Sequence, residues 1–201
     1  MPAPEKHPDL HGNVPENCRV AVVLVDVLNA LRFEGSEGFV PKALAVAERV
    51  ARLKQRAAAA NVPVVYVNDN AGRWQSDVSR VLEDCLKDDA PGREASRLVL
   101  PGDRDFFVMK PKHSGFYSTT LDTLLVYLQA KRLVIAGFTV ERCVLFTAND
   151  AFLRDYELYV PKDCTAAIDD RDSDAALRIL ERVLRAHTQT SDELDFEQLK
   201  A

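Results

Sequence analysis

A chain of 201 residues, 47% hydrophobic and 28% charged, has the balance of an ordinary globular domain and is long enough to bury a full core. Its net charge of -5, with no cluster of basic residues, gives no electrostatic reason to expect nucleic acid or an anionic membrane as partner. The four cysteines, Cys18, Cys85, Cys143 and Cys164, lie far apart with no C-x-x-C pair, so a reducing cytoplasm is the expected compartment. The polar, proline-rich opening lacks the apolar centre of a signal peptide, and no run approaches the ~18 to 20 apolar residues of a membrane span. A soluble protein is expected.

In chain order, residues 1–18 read as an N-terminal extension, and 19–190 as one domain. The run Val20-Ala21-Val22-Val23-Leu24-Val25 is continuous and β-branched, as a parallel strand buried on both faces must be, and it ends on Asp26. Pro41 to Ala60 has apolar residues at helical spacing, with Pro41 suited to the first turn and Asn61 to the close. Val62 to Val67 reads as the second strand, Ser76 to Leu86 as a helix with Ser76 as N-cap, and Asp105 to Met109 as a third strand that delivers Lys110. The stretch 88–104, rich in Pro, Gly and Arg, is expected to be the long loop. Thr119-Thr120-Leu121-Asp122 has capping-box form and opens a helix to Ala130; Leu133 to Ala136 is strand four, and Glu141 to Arg154 a helix. Glu157 to Val160 is a short fifth strand, followed by a helix near Asp174 to His187, and residues 191–201 read as a polar tail expected to fray. Regular alternation of strand and helix implies a three-layer α/β/α sandwich, with a Rossmann-like, doubly wound, mainly parallel sheet of five or six strands.

In such a sheet, ligands bind outside the carboxyl ends of the strands, near the point where strand order reverses. Asp26, Lys110 and Cys143 all sit at such ends, so strands distant in sequence bring an acid, an ammonium and a thiol to one rim. Any one of them alone has an ordinary explanation: a turn carboxylate, a surface lysine, a small buried hydrophobe. Together they have the composition of a catalytic set. Cys143, where a buried strand gives way to a helix N-terminus, is expected to favour the thiolate, because unpaired N–H groups and the helix dipole stabilise negative charge there.

These residues resemble the isochorismatase-like cysteine hydrolase superfamily, which includes nicotinamidases, N-carbamoylsarcosine amidohydrolases and ureidoacrylate amidohydrolases. The resemblance rests on Val23 to Asn29, on Val108 to Tyr117, on Val134 to Val144 with Thr147 to Ala151, and on Val160 to Ala167, and it covers about residues 19 to 187. It implies a catalytic triad of Asp26, Lys110 and Cys143, an oxyanion hole of the Thr139 and Cys143 backbone N–H groups, and a cis peptide at Phe138-Thr139. It further implies hydrolysis of a non-peptide C–N bond in a small amide or carbamoyl compound through a thioester on Cys143, with no cofactor, and assembly as a homodimer or homotetramer. By loop position, Asn29, Phe33, Asn70, Trp74, Phe116, Tyr117 and Phe138 are candidate substrate-binding residues.

Departures from the family narrow the substrate. Metal-binding nicotinamidases carry an acid and histidines after the second strand, whereas this loop reads Asn68-Asp69-Asn70-Ala71-Gly72-Arg73-Trp74, so nicotinamidase is disfavoured and no metal is expected. Asp69, one carboxylate with amide neighbours, reads as a hydrogen-bonded loop rather than a cation site. Where relatives often have Asn-Asp-Phe after the first strand, this chain has Asn29-Ala30-Leu31. An isochorismate-type vinyl ether hydrolase needs no thiol, and Cys143 weighs against it; a catalytically idle family member serving assembly and a phosphoacceptor receiver domain are the remaining alternatives. No G-x-G-x-x-G follows the first strand, which disfavours dinucleotide binding. His7 and His11 read as a flexible tail, His113, near Lys110, as a surface turn residue or else one that touches substrate, and Cys164 as packing.

Overall fold

The computed structural model describes residues 18–201; the rest of the expected N-terminal extension, with His7 and His11, lies outside the described residues. Six strands form one sheet: β1 (Val20–Val25), β2 (Val64–Asp69), β3 (Phe106–Lys110), β4 (Arg132–Phe138), β5 (Glu157–Tyr159) and β6 (Thr165–Ala166). Their order is β3-β2-β1-β4-β5, with β6 pairing to β4, and every pairing is parallel. The central strand β1 is buried along its whole length, which is why its sequence has no polar alternation.

Its side chains point alternately into two cores. Val20, Val22 and Leu24 face α1 (Ser36–Ala59), where Phe39, Ala43, Ala47, Val50 and Leu53 form one stripe. Ala21, Val23 and Val25 face the other layer, made by α4 (Leu121–Tyr127), α5 (Leu145–Phe152) and α6 (Asp170–Arg182) through Leu121, Leu125, Ala148, Ala176 and Leu180. These are the three layers of the expected α/β/α sandwich.

Four local expectations are corrected. Helix α1 begins at Ser36, five residues before the expected Pro41, because Gly35 turns the chain at φ 81 and Phe39 is buried; Pro41 lies inside the helix. The expected loop 88–104 contains α3 (Arg93–Leu98), where Ala95 and Val99 are buried against the core that α1 covers. Helix α2 (Val78–Cys85) is capped by Asp77 rather than Ser76, its carboxylate accepting from Arg80 N at 3.0 Å.

The fourth concerns residues 191–201. They fold onto the domain, with α7 (Phe196–Lys200) capped by Asp195 and with Leu194, Phe196 and Leu199 buried. Arg132 and Lys200 fasten it by donating to Leu199 O at 2.6 Å and Ala60 O at 2.9 Å, and Arg56 donates to Leu194 O. Three apolar side chains in a polar stretch are enough to anchor it.

Candidate active site

The sheet's strand order reverses between β1 and β4, and the groups of interest stand at the carboxyl ends of four adjacent strands: Asp26 after β1, Asp69 ending β2, Lys110 ending β3 and Cys143 just past β4. Asp26 sits at φ 51, a left-handed conformation that aspartate tolerates better than bulkier residues. Its Oδ1 accepts from Asp69 N at 2.7 Å, and its Oδ2 lies 2.8 Å from Lys110 Nζ. Lys110 has no exposed surface, and its ammonium spends three donors on Asp26, on Asp69 Oδ2 at 3.3 Å and on Cys143 Sγ at 3.5 Å. The Asp26 carboxylate also acts on the Cys143 thiol through its charge.

Thr139, in extended backbone, carries the chain from β4 into one wide π-helical turn, Val140–Val144, before α5. Its carbonyl accepts from both Arg142 N at 3.1 Å and Val144 N at 3.2 Å. Just upstream, Gly137 has φ 124, and a Cβ there would stand 1.9 Å from Val25 O, so β4 can lie this close to β1 only with glycine at that point. The expected cis bond at Phe138-Thr139 is not found; the described peptide bonds are trans. The chain is redirected by Gly137 and the π turn.

Burial pushes the Asp26 carboxyl up, against the pull of Lys110. Burial works to lower Lys110, but the summed attraction of Asp26, Cys143 and Asp69 raises it. Burial and the Asp26 charge push the Cys143 thiol up to about 12, although Lys110 pulls the other way. The expected preference for thiolate finds no support here: desolvation and the Asp26 charge push the Cys143 thiol up by more than Lys110 pulls it down.

Cys143 is partly exposed, whereas Cys18, Cys85 and Cys164 are buried. Its sulfur opens to a cleft of about 470 Å³ that Asp26, Asn29, Phe33, Phe138, Thr139 and Arg142 help to line. Phe33, Phe39 and Phe138 form an aromatic wall, with centroids 6.1 and 5.5 Å apart. A second cleft of about 550 Å³ adjoins it, sharing Asp26, Asn29, Phe33 and Asp69 and adding Asn68, Asn70 and Arg73. Of the seven candidate substrate residues, Asn29, Phe33, Asn70 and Phe138 thus line the two clefts. The other three line neither: Phe116 is a core residue, 5% exposed, and Trp74 and Tyr117 project outward at 81% and 57% exposure. Loop position placed them near the rim, but their side chains turn away from it.

The fold also brings to the site residues that the sequence named without counting them in it, and Asp69 is hydrogen-bonded in its loop as expected. Asp69 has its Oδ2 on Lys110 and its Oδ1 accepting from Ala71 N at 2.6 Å, so both oxygens are engaged. Its place at a strand end was the available signal. His113, read as a surface turn residue, is exposed yet holds Nδ1 3.8 Å from Cys143 Sγ. Arg142, Glu34 and Ile168, which also line the first cleft, carried no signal.

Comparison with known proteins agrees with this architecture. The Isochorismatase domain profile matches residues 20–193. The isochorismatase family protein YaaI of Bacillus subtilis is 37% identical over 87% of this chain and 95% of its own length. The ureidoacrylate amidohydrolase RutB of Acinetobacter baylyi is 29% identical over 69% of this chain and 66% of its own. Among solved structures, the N-carbamoylsarcosine amidase of Thermoplasma acidophilum superposes with a TM-score of 0.68 at 29% identity, covering 88% of this chain and 99% of the other. The chain belongs to the isochorismatase family.

Proposed function

We infer that this isochorismatase-family chain is a cysteine hydrolase that cleaves the C–N bond of a small amide or carbamoyl compound. The observation that carries this reading is the contact of Lys110 Nζ with both Asp26 Oδ2 at 2.8 Å and Cys143 Sγ at 3.5 Å, at the mouth of a cleft. The amidase relatives support the same reaction class.

The protonation states set the order of events. With the thiol at about 12, forming a bare thiolate at neutral pH costs on the order of 7 kcal/mol, so the proton must pass to Asp26 as sulfur attacks. Asp26 is suited to receive it because burial already raises its carboxyl. Lys110 stays charged and stabilises whichever of the two partners is anionic. Attack on the carbonyl carbon forms a tetrahedral oxyanion, which the backbone N–H groups of Thr139 and Cys143 would hold. Collapse breaks the C–N bond, Asp26 returns the proton to the departing nitrogen, and water then hydrolyses the thioester with Asp26 again as base.

The test is an ammonia-release screen over small primary amides and carbamoyl compounds, with Cys143→Ala as the blank. Release that depends on Cys143 is the expected outcome. Turnover that survives Cys143→Ala would exclude the thioester route.

A further inference from the structure

The sulfur has a further neighbour that the chemistry just described does not use. His113 stands in the turn that leaves β3, past Lys110, and its Nδ1 lies 3.8 Å from Cys143 Sγ. It is exposed and lines the cleft at the sulfur, whereas Lys110 is fully buried, so the two reach the sulfur from solvent and from the interior. Among the described residues, no other polar group pairs with its ring. An imidazole that no other protein group claims is free to exchange protons with solvent.

The fold holds the ring at this place. The two residues after it are tied to α5, the helix that continues from the turn carrying Cys143: Ser114 Oγ donates to Asp150 Oδ2, and Gly115 N donates to Thr147 Oγ1 at 2.9 Å. Gly115 is packed so closely that a Cβ there would meet Val67 Cγ1 at 2.8 Å. The imidazole itself lies against Phe146 of the same helix, with centroids 5.8 Å apart. Ring and sulfur are therefore held in register by one element.

The second half of the reaction leaves a task open at this spot. Acylation carries the thiol's proton away on the departing nitrogen, by way of Asp26. When water attacks the thioester, Asp26 takes a proton from the water, and the C–S bond must break with its electron pair going to sulfur. Sulfur here is a poor leaving group as a bare anion, because burial and the Asp26 charge push its thiol up to about 12. Both Asp26 oxygens are engaged as well, one by Asp69 N and the other by Lys110 Nζ.

We propose that His113 is a further catalytic residue, the acid that gives its Nδ1 proton to the Cys143 sulfur as the thioester is hydrolysed. The proposal rests on the hydrolase reading above and adds a second proton carrier to it. One proton leaves the water for Asp26, the water's oxygen bonds to the carbonyl carbon, the C–S bond breaks, and the imidazolium proton passes to sulfur. The acyl group departs as the carboxylic acid. Asp26 then loses a proton to solvent and His113 takes one from it, so the cycle closes with no net change in the protein. Asp26 is spared from having to move the water's proton on to sulfur.

The test uses p-nitrophenyl acetate, whose nitrophenolate leaves without needing a proton, so that acylation makes no call on His113. Nitrophenolate release is followed by stopped flow for the wild type, His113→Ala and His113→Gln, with Cys143→Ala as the blank. In both His113 variants the expected trace is a burst of about one equivalent, followed by a steady rate about 100-fold below that of the wild type. Mass spectrometry of quenched samples should find the acetyl group on Cys143 in these variants. A steady rate in His113→Ala within about twofold of the wild type would overturn the role of His113 and leave the hydrolase reading standing. So would its restoration by His113→Gln, which fills the space but is no acid, or a fall of burst and steady rate together. Absence of any Cys143-dependent release from the wild type would instead overturn the hydrolase reading, and the proposal with it.

Discussion

Replacing Asp26 with asparagine separates two effects of that carboxylate, and they should move in opposite directions. The Asp26 charge is, after burial, the largest influence holding the thiol at about 12. Asparagine keeps an oxygen able to accept from Asp69 N but removes the negative charge, leaving the Lys110 ammonium beside the sulfur at 3.5 Å. One neighbouring charge moves such a group by roughly 1 to 3 pH units; taking about 2, the thiolate fraction near pH 8 rises about a hundredfold. A less basic thiolate is a weaker nucleophile, which offsets about tenfold of that gain. Alkylation of Cys143 by iodoacetamide should therefore become about tenfold faster, while hydrolysis, having lost its proton carrier, falls by about 10³ or more. Peptide mass spectrometry of timed quenches from about pH 6 to about pH 11 reads the alkylation profile, with the buried Cys18, Cys85 and Cys164 as internal controls. The same shift ties stability to pH. The folded value lies above the ordinary 9.0, so the stability linked to this thiol is whole below about pH 9 and is lost as pH climbs toward about 12. An Asp26→Asn profile that overlays the wild type, or a wild-type midpoint near 7, would refute the reasoning about the thiol.

Lys110→Met should leave two carboxylates crowded without their cation, costing about 3 to 5 kcal/mol at neutral pH. The Asp26 carboxyl then rises further, so the folded state binds more protons than the unfolded one and the variant's thermal midpoint should be higher near pH 5 than near pH 8; a pH-independent deficit would argue against it. Gly137→Ala drives a Cβ to 1.9 Å from Val25 O at a position where neither strand can shift, and should cost about 4 kcal/mol or more, whereas Gly38→Ala, with nothing within 4 Å, should be neutral or slightly stabilising. Thermal unfolding of the pair decides the point. Phe196→Ala, at a side chain 4% exposed, should cost about 3 to 5 kcal/mol and lower the midpoint by roughly 10 °C. A change within error would mean that the C-terminal helix adds nothing to the domain's stability.

Much of the architecture can be read from the chain because a parallel sheet covered on both faces demands unbroken apolar strands, and Val20 to Val25 and Leu133 to Ala136 supply them. What could not be read depends on a few apolar contacts inside polar surroundings. Helix α3 hides behind Pro91 and Gly92, and what holds it is burial of Ala95 and Val99 against the core beneath α1, which composition does not reveal. The charges of residues 191–201 suggest a loose tail, but Leu194, Phe196 and Leu199 have partners waiting on the domain surface. Pro41 drew the start of α1 too late, because a proline in the second turn of a long helix is tolerated when burial on either side compensates.

The candidate site shows the same division, and it explains why the thiol expectation failed while the meeting of Asp26, Lys110 and Cys143 is seen in the structure. Strand ends are a property of topology, so any residue placed there reaches the rim, and Asp69 belongs with the other three for that reason. The protonation state of Cys143 is instead decided by what surrounds the sulfur. A helix start contributes a fraction of a charge, whereas Asp26 contributes a whole one within the same cluster, in a region where burial has already removed water. With two carboxylates around one ammonium, the cluster has no spare positive charge to hold a thiolate at rest. On the proposed mechanism, sulfur becomes anionic only as Asp26 becomes neutral, so the proton's passage between them keeps the net charge constant and Lys110 need not move. On that proposal the site gains nucleophilicity when a carbonyl carbon is present to take the electrons, and keeps its cysteine as a thiol otherwise.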